Sequence, residues 1–146
     1  TEDSAAVTLR WDDGTLATLS ATLGSVAEIS RHRFTFEHLS AESGTAPYHH
    51  SFEPWTFTPS EPHAPALEAA MDAYQPGPED YIGQFARYAD ARASGGPLPV
   101  TLAEARTALE LVTALYVSAH EHREVTLPLD PSECGVWERH SGRFRA

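Results

Sequence analysis

The sequence predicts an α+β fold: an open, mainly antiparallel or mixed sheet of about five strands, with two main helices on one face. Strand-like alternation fills the first part of the chain, two long amphipathic stretches follow, and a short strand-like run comes after them. Elements that cluster in this way, instead of alternating, favour α+β over a parallel α/β sheet. The chain has 146 residues, of which 41% are hydrophobic, enough for a packed core.

The first element is a β-hairpin. Apolar and polar residues alternate over 7–11, Asp13-Gly14 supplies the backbone angles of a tight turn, and residues 16–23 return. On the returning strand, Leu19 and small apolar residues share one face, whereas Thr18 and Ser20 share the other. A face of small hydroxyls suits solvent or a second sheet.

Two further strands are predicted before the helices. The stretch 28–43 alternates apolar and charged residues and predicts a third strand. The stretch 49–59 predicts a fourth, and Pro54 indicates that it is bulged or lies at a sheet edge. Residues 59–78, rich in proline and alanine, predict a loop with one helical turn at 66–73.

The helices are predicted at 79–94 and 102–121. Pro78 suits the first turn of the first helix, and Gly95 follows its last residue. Thr101 and Glu104 form a capping-box pattern at the start of the second helix, whose wide apolar stripe predicts burial over more than half its circumference. Residues 124–129 predict a closing strand. We expect one domain over 1–130, with 131–146 as a tail lying on its surface.

Composition excludes several classes of partner and chemistry. The net charge of −11 disfavours nucleic acid and anionic membrane surfaces, and no apolar run reaches the ~20 residues of a membrane span. All ten basic residues are arginine, so the chain offers no lysine for a Schiff base or a Walker motif. Cys134 is the single cysteine, which excludes an internal disulfide and fits a reducing, cytoplasmic setting.

Two blocks of sequence resemble one enzyme family. The stretch "TEDSAAVTLRWDDGTLATLSAT" (1–22) resembles a block in the C-terminal domain of Gfo/Idh/MocA-type NAD(P)-dependent oxidoreductases. The stretch "YIGQFARYADARASGGPLPVTLAEARTALELVTALYVSAHEHREVTLP" (81–128) resembles that family's C-terminal signature, in which a helix, a G-x-P-x-x-V-T turn and an alanine-rich helix run into a V-x-L-P strand. The resemblance covers roughly 1–130, and residues 41–77 match poorly.

The resemblance implies a two-domain enzyme. In this family a Rossmann domain that binds NAD or NADP precedes an α/β domain, whose sheet mediates oligomer contacts and whose loops close over the substrate. Substrates are sugars, inositols and related hydroxylated small molecules. We therefore expect a homo-oligomer formed through the open sheet face.

The sequence departs from the full family pattern. It has no G-x-G-x-x-G after a strand, and the lysine of the family's E-K-P motif has no counterpart. The family's D-x-x-x-H pair is also unmatched. We therefore interpret the chain as the C-terminal substrate-binding and oligomerisation part of such an oxidoreductase, binding no cofactor and inactive alone. The alternative is a free-standing assembly or small-ligand-binding module on the same scaffold, without redox activity.

The segment "PYHHSFEPW" (47–55) contains the predicted substrate-binding residues. Tyr48, His49 and His50 supply hydrogen-bonding groups, and Trp55 supplies a flat apolar ring. Sugar-binding pockets use such groups, because hydroxyls need directional partners and the C–H face of a sugar ring needs an aromatic surface. The alternative is an ordinary aromatic strand end at the rim of the core.

The eight histidines of the chain do not predict a metal site. His49 and His50 are adjacent, so on a strand they point to opposite faces. His120 and His122 are two residues apart at a helix end, where ligands three or four apart would be needed, and they more simply complement the negative end of the helix. No carboxylate cluster completes a set of ligands.

No catalytic residue is predicted in this chain. Ser118 and Ser132 lack a G-x-S-x-G elbow, and Cys134 has no partner motif. Asp12 and Asp13 are turn residues.

Overall fold

The structure, a computed structural model, describes residues 3–48 and 53–130. The described part contains five strands and three helices, which confirms the α+β class. They are β1 (Ser4–Arg10), β2 (Leu16–Thr22), β3 (Arg33–Thr35), β4 (Leu39–Glu42), β5 (Thr56–Pro59), α1 (Ala64–Ala73), α2 (Asp80–Ser94) and α3 (Leu102–Glu121). The strands form two small antiparallel sheets, β1-β2 and β3-β4-β5, instead of one open sheet.

The chain divides into two compact units. The described part of the first comprises residues 3–24 and 100–130, with the hairpin and α3. The described part of the second comprises residues 25–48 and 53–99, with the three-stranded sheet, α1 and α2. The predicted tail, 131–146, lies outside the described residues.

The hairpin of the first unit forms as its turn sequence predicts. Gly14 has φ 89°, and the Thr15 backbone N–H donates to the Asp13 carboxylate at 2.9 Å. This backbone hydrogen bond, the largest influence on the group, lowers the pKa of Asp13 because it stabilises the carboxylate form. The strands then pair in unbroken register, with Val7 opposite Leu19.

Helix α3 begins at the predicted capping box. The Glu104 backbone N–H donates to Thr101 Oγ1 at 3.2 Å, and the Thr101 backbone N–H donates to Glu104 Oε2 at 2.7 Å. Burial on α3 is concentrated at Ala114 and Val117, whereas Leu109 is 69% exposed. The expectation that this helix is buried over more than half its circumference is therefore wrong.

The predicted closing strand at 124–129 is not formed. Pro128 has no N–H to contribute to a ladder, and the Leu129 N–H donates instead to Glu110 Oε1 on α3, at 2.8 Å. Leu129 is 7% exposed, so this segment returns to α3 and buries its last apolar side chain there. The side chains of Arg10 and Glu124 form an exposed ion pair at 2.8 Å.

In the second unit the predicted third strand is two strands. The stretch 28–43 turns at residues 37–38, where the Phe36 N–H donates to the Leu39 carbonyl at 2.7 Å, and β4 returns beside β3. The apolar positions change phase at this turn, from Phe34 and Phe36 to Leu39 and Ala41, and the prediction of a single strand missed this signal. The register places Phe34 opposite Ala41, and Ala41 opposite Phe57.

Helices α1 and α2 complete the second unit. Helix α1 spans ten residues, longer than the single turn predicted. Helix α2 ends where predicted, at Gly95 with φ 69°. Gly83 is buried in α2, and its Cα lies so close to the Pro78 carbonyl that a Cβ there would collide with it.

We expect Gly83→Ala to destabilise the chain. The collision with the Pro78 carbonyl should cost about 1–3 kcal/mol, which outweighs the ~1 kcal/mol of helix propensity that alanine gains over glycine. Chemical denaturation followed by circular dichroism measures the free energy of unfolding. Gly77→Ala is the matched control, because a Cβ at Gly77 would meet nothing within 4 Å. Equal stabilities of the two variants would contradict the close contact.

The α3 capping box should respond to pH. Hydrogen bonds from the Thr101 backbone N–H and then its hydroxyl lower the pKa of Glu104. A lowered pKa in the folded state gives stability that is present above the unfolded-state pKa and is lost as pH falls through the folded-state value. Glu104→Gln should therefore lose less stability than the native chain between pH 7 and pH 3, as measured by denaturation at each pH. Glu68→Gln on α1 is the control, and the same pH response in both variants would refute the assignment.

Candidate functional site

Three ring side chains group together on the three-stranded sheet of the second unit. The ring centroids of Phe34 and Trp55 lie 6.0 Å apart with an interplanar angle of 14°. The His32 ring lies 6.5 Å from Phe34 and 6.4 Å from Trp55. We call His32, Phe34 and Trp55 the aromatic cluster.

Strand pairing places the cluster on one face of the sheet. Phe34, Ala41 and Phe57 are opposite one another across β3, β4 and β5, so their side chains share a face. Trp55, two residues before Phe57, continues that face by alternation. Ala41 is 5% exposed, whereas Phe34 is 49% exposed. The rings therefore cover a small residue and leave part of their own surface accessible.

A buried hydroxyl holds the backbone beneath the cluster. Ser43 is 7% exposed, its Oγ accepts the His32 backbone N–H at 2.9 Å, and it donates to the Gly44 carbonyl at 2.8 Å. The Ser43 backbone N–H donates to the His32 carbonyl at 2.9 Å. These bonds extend the pairing of β3 and β4 past the strand ends and fix the position of His32.

A carboxylate lies beside the loop that follows β4. Glu53 Oε2 accepts the Ala46 backbone N–H at 3.3 Å. Its side chain approaches Gly44 so closely that a Cβ there would meet the carboxylate, and the Glu53 side chain would have to move to accommodate it. The loop thus presents a hydrogen-bond acceptor two residues from Trp55 in sequence.

The predicted substrate residues fall partly within this region. Trp55 belongs to the aromatic cluster. Tyr48 lies in the loop after β4, with φ 61° and a side chain that is 87% exposed. His49 and His50 lie outside the described residues. The sequence reasoning missed His32 and Phe34, although their alternation was visible, because only strand pairing brings them beside Trp55.

The other candidates have structural roles in the described part of the chain. Ser118 Oγ donates to the Arg123 carbonyl at 2.7 Å, beyond the end of α3. His122 is the C-cap residue of α3, with φ 54°, and His120 lies in its last turn. Within residues 3–48 and 53–130, no group of three or more histidine, cysteine, aspartate or glutamate side chains could hold a metal ion. Ser132 and Cys134 lie beyond the described residues.

The described residues do not fit a dinucleotide site. Such a site needs a glycine-rich turn from a strand into a helix, where backbone N–H groups can approach the pyrophosphate. The described chain passes from a strand into a following helix at residues 60–63, between β5 and α1. This segment contains no glycine and carries the acidic Glu61, and His63 makes no side-chain cap on α1.

None of the described helices is long and apolar enough to cross a membrane. Comparison of the chain with family models, curated proteins and solved structures found no match.

The geometry of the second sheet supports binding more directly than catalysis. The aromatic cluster offers a flat apolar surface, and Glu53 offers an acceptor at the neighbouring loop. Flat aromatic surfaces with a few polar groups at the rim suit small hydroxylated ligands.

We expect Ser43→Ala to destabilise the sheet beneath the cluster. Alanine removes the acceptor of the part-buried His32 N–H, which should cost about 0.5–1.5 kcal/mol. Denaturation followed by tryptophan fluorescence measures the change. Ser40→Ala on the opposite face of β4 is the control and should change the free energy of unfolding by less than about 0.5 kcal/mol. If Ser43→Ala were as mild as the control, the hydroxyl would not be needed to hold His32.

Proposed function

We propose that this chain is the substrate-binding and oligomerisation part of an NAD(P)-dependent oxidoreductase that acts on a sugar, an inositol or a similar hydroxylated small molecule. The cofactor and the hydride chemistry belong to a Rossmann domain outside the chain, and the chain alone is inactive. The motif blocks at 1–22 and 81–128 support this proposal. They fold as the β1-β2 hairpin and as α2 and α3, with the capping box at the start of α3.

The aromatic cluster is the observation that supports a hydroxylated small molecule as the substrate. The C–H face of a sugar or inositol ring packs on aromatic rings, and its hydroxyls need acceptors and donors at the rim. The ring planes of Phe34 and Trp55 are nearly parallel, at 14°, and their centroids lie 6.0 Å apart, so the cluster offers more than one aromatic ring for packing. Glu53 supplies a carboxylate acceptor at the loop after β4.

Two features support placing the cofactor elsewhere. The chain contains no lysine, so it cannot provide the E-K-P ammonium group that the resemblance implies for catalysis. The strand-to-helix segment at 60–63 lacks the glycines that a pyrophosphate requires.

A free-standing ligand-binding module would use the same cluster without redox chemistry. The two functions differ in the reading frame upstream of Thr1. A G-x-G-x-x-G motif and an E-K-P motif in the same frame support the oxidoreductase, and a start codon beside Thr1 supports the module.

We expect the chain to bind polyols and not the dinucleotide. Titration with myo-inositol and glucose, followed by ligand-observed NMR, should show binding at millimolar concentrations, because one small aromatic surface gives modest affinity. NADH and NADPH in parallel titrations should show none. Trp55→Ala and Phe34→Ala should each weaken polyol binding by about tenfold, since each removes part of the stacking surface.

Trp11→Ala is the matched control. Trp11 is 49% exposed and belongs to the first unit, so its removal deletes an exposed indole that is not a member of the aromatic cluster. Polyol binding that is equal in all three variants would disprove the site. Micromolar binding of NADH would disprove the proposal that the dinucleotide site lies in a Rossmann domain outside this chain.

A further inference from the structure

The outer edge of β2 presents free ladder positions in a defined pattern. Within the described residues β2 pairs with β1 alone, so its other edge carries no strand. The Trp11 N–H donates to the Thr15 carbonyl, and the Leu23 N–H donates to the Asp3 carbonyl. Backbone groups alternate in direction along an antiparallel strand, so the odd-numbered residues of β2 bond to β1. The N–H and C=O groups of its even-numbered residues, including Thr18 and Ser20, therefore point away from β1.

This edge lacks the features that keep sheet edges apart. Natural edge strands carry charges, prolines or bulges that prevent pairing with other chains. The strand "LATLSAT" has no charged residue and no proline, and its register with β1 contains no bulge. The absence of charge on β2 is notable because the chain as a whole has a net charge of −11.

The β2 sequence is also nearly symmetric about Leu19. Two residues out from Leu19 stand Ala17 and Ala21, and one residue out stand the hydroxyl-bearing Thr18 and Ser20. If two β2 strands run antiparallel with Leu19 opposite Leu19, then Thr18 faces Ser20 of the second copy. Those are the residues whose backbone groups point outward, so the hydrogen-bonding register and the sequence symmetry agree.

We propose that two copies of this chain associate by antiparallel pairing of their β2 strands about a twofold axis at Leu19. The result is one four-stranded sheet in the order β1-β2-β2-β1. This proposal places the contact of the expected homo-oligomer at the edge of β2 instead of the open sheet face, and it does not depend on the oxidoreductase assignment.

The proposed pairing would stabilise the β1-β2 hairpin. A two-stranded ribbon is marginal in water, whereas three or more strands with an apolar face are stable. The proposed seam adds about eight backbone hydrogen bonds and brings together the two Leu19 side chains. Each of these is 52% exposed in the single chain.

The edge of β1 fits a second copy less well. The same operation centred on Val7 would set Arg10 opposite Ser4 and Ala5 opposite Leu9, with no matching hydroxyl pair. Arg10 is also engaged with Glu124 in an ion pair. The β2 edge is therefore the self-complementary one.

A cross-linking experiment tests the register. In a Cys134→Ser background, Leu19→Cys places two thiols at a non-hydrogen-bonded pair, where the Cα atoms are about 4.5 Å apart and a disulfide can form. Oxidation at tens of micromolar should give a covalent dimer. Val7→Cys is the matched control, since Val7 faces Leu19 across the hairpin but lies one strand away from the seam. Cross-linking no faster for Leu19→Cys than for Val7→Cys would overturn the proposal.

A charge exchange tests the twofold axis in solution. Analytical ultracentrifugation of the native chain at tens of micromolar should show a dimer. Leu19→Lys and Leu19→Glu should each raise its dissociation constant by about tenfold or more, because like charges then face each other. An equal mixture of the two variants should recover the dimer, which shows that both are folded. Val7→Lys should stay within about threefold of the native chain.

Failure of the mixture to recover the dimer would overturn the proposal, and so would a monomeric native chain. If a monomer nonetheless protects the Thr18 and Ser20 amides from hydrogen exchange, another segment covers the edge and the twofold pairing is wrong. None of these measurements involves a polyol or a dinucleotide. A failed dimer and a failed substrate site are therefore distinguished.

Discussion

Antiparallel backbone pairing is the interaction on which both proposed surfaces depend. In the second unit, β4 bonds to β3 on one side and to β5 on the other, and this sets Phe34, Ala41 and Phe57 in one row. A shift of one residue in either register would move a phenylalanine to the opposite face, because side chains alternate with period two. In the first unit, the β1-β2 register decides which β2 groups point outward. Strand register, more than any single side chain, therefore determines where the two proposed surfaces lie.

The burial pattern explains why such surfaces remain available. In the described part of the chain, the buried hydrophobic residues are Ala41, Ala114, Val117 and Leu129. These are few and mostly small for a chain with 41% hydrophobic residues. Large apolar side chains stay exposed on α2 as well, where Ile82 is 79% exposed. Exposed apolar surface of this kind is typical of chains that pack against other chains or domains.

Local signals in the sequence predicted the local structure well. The Asp13-Gly14 turn, the Thr101 capping box and the Gly95 helix end each depend on residues within one or two turns of each other. The hydrogen bonds and backbone preferences of these residues do not depend on distant parts of the chain. The ends of α2 and α3 could therefore be predicted closely from the sequence.

Non-local features escaped the sequence for physical reasons. The apolar positions change from even-numbered to odd-numbered residues at the turn at 37–38, so the sequence marks the end of β3, but a change of phase does not show that the next strand pairs back on it. The stretch 124–129 has strand-like composition, but a side chain far away in sequence, Glu110, takes the Leu129 N–H. The sequence singled out one member of the aromatic cluster, Trp55, whereas His32 and Phe34 become its neighbours only through strand pairing. An amphipathic stripe, likewise, predicts which face of a helix is apolar and not what covers it.

The distribution of charge along the chain bears on the proposed pairing of the β2 edge. A net charge of −11 repels copies of the chain at distances up to the Debye length, about 8 Å at physiological salt. Repulsion of this kind disfavours contacts that bring acidic surfaces together and leaves the uncharged segments as the places where close approach is least costly. Strand β2 is such a segment, seven residues long without a charge. The proposed β2 pairing is therefore compatible with the acidity of the chain, because it brings together two segments that carry no charge.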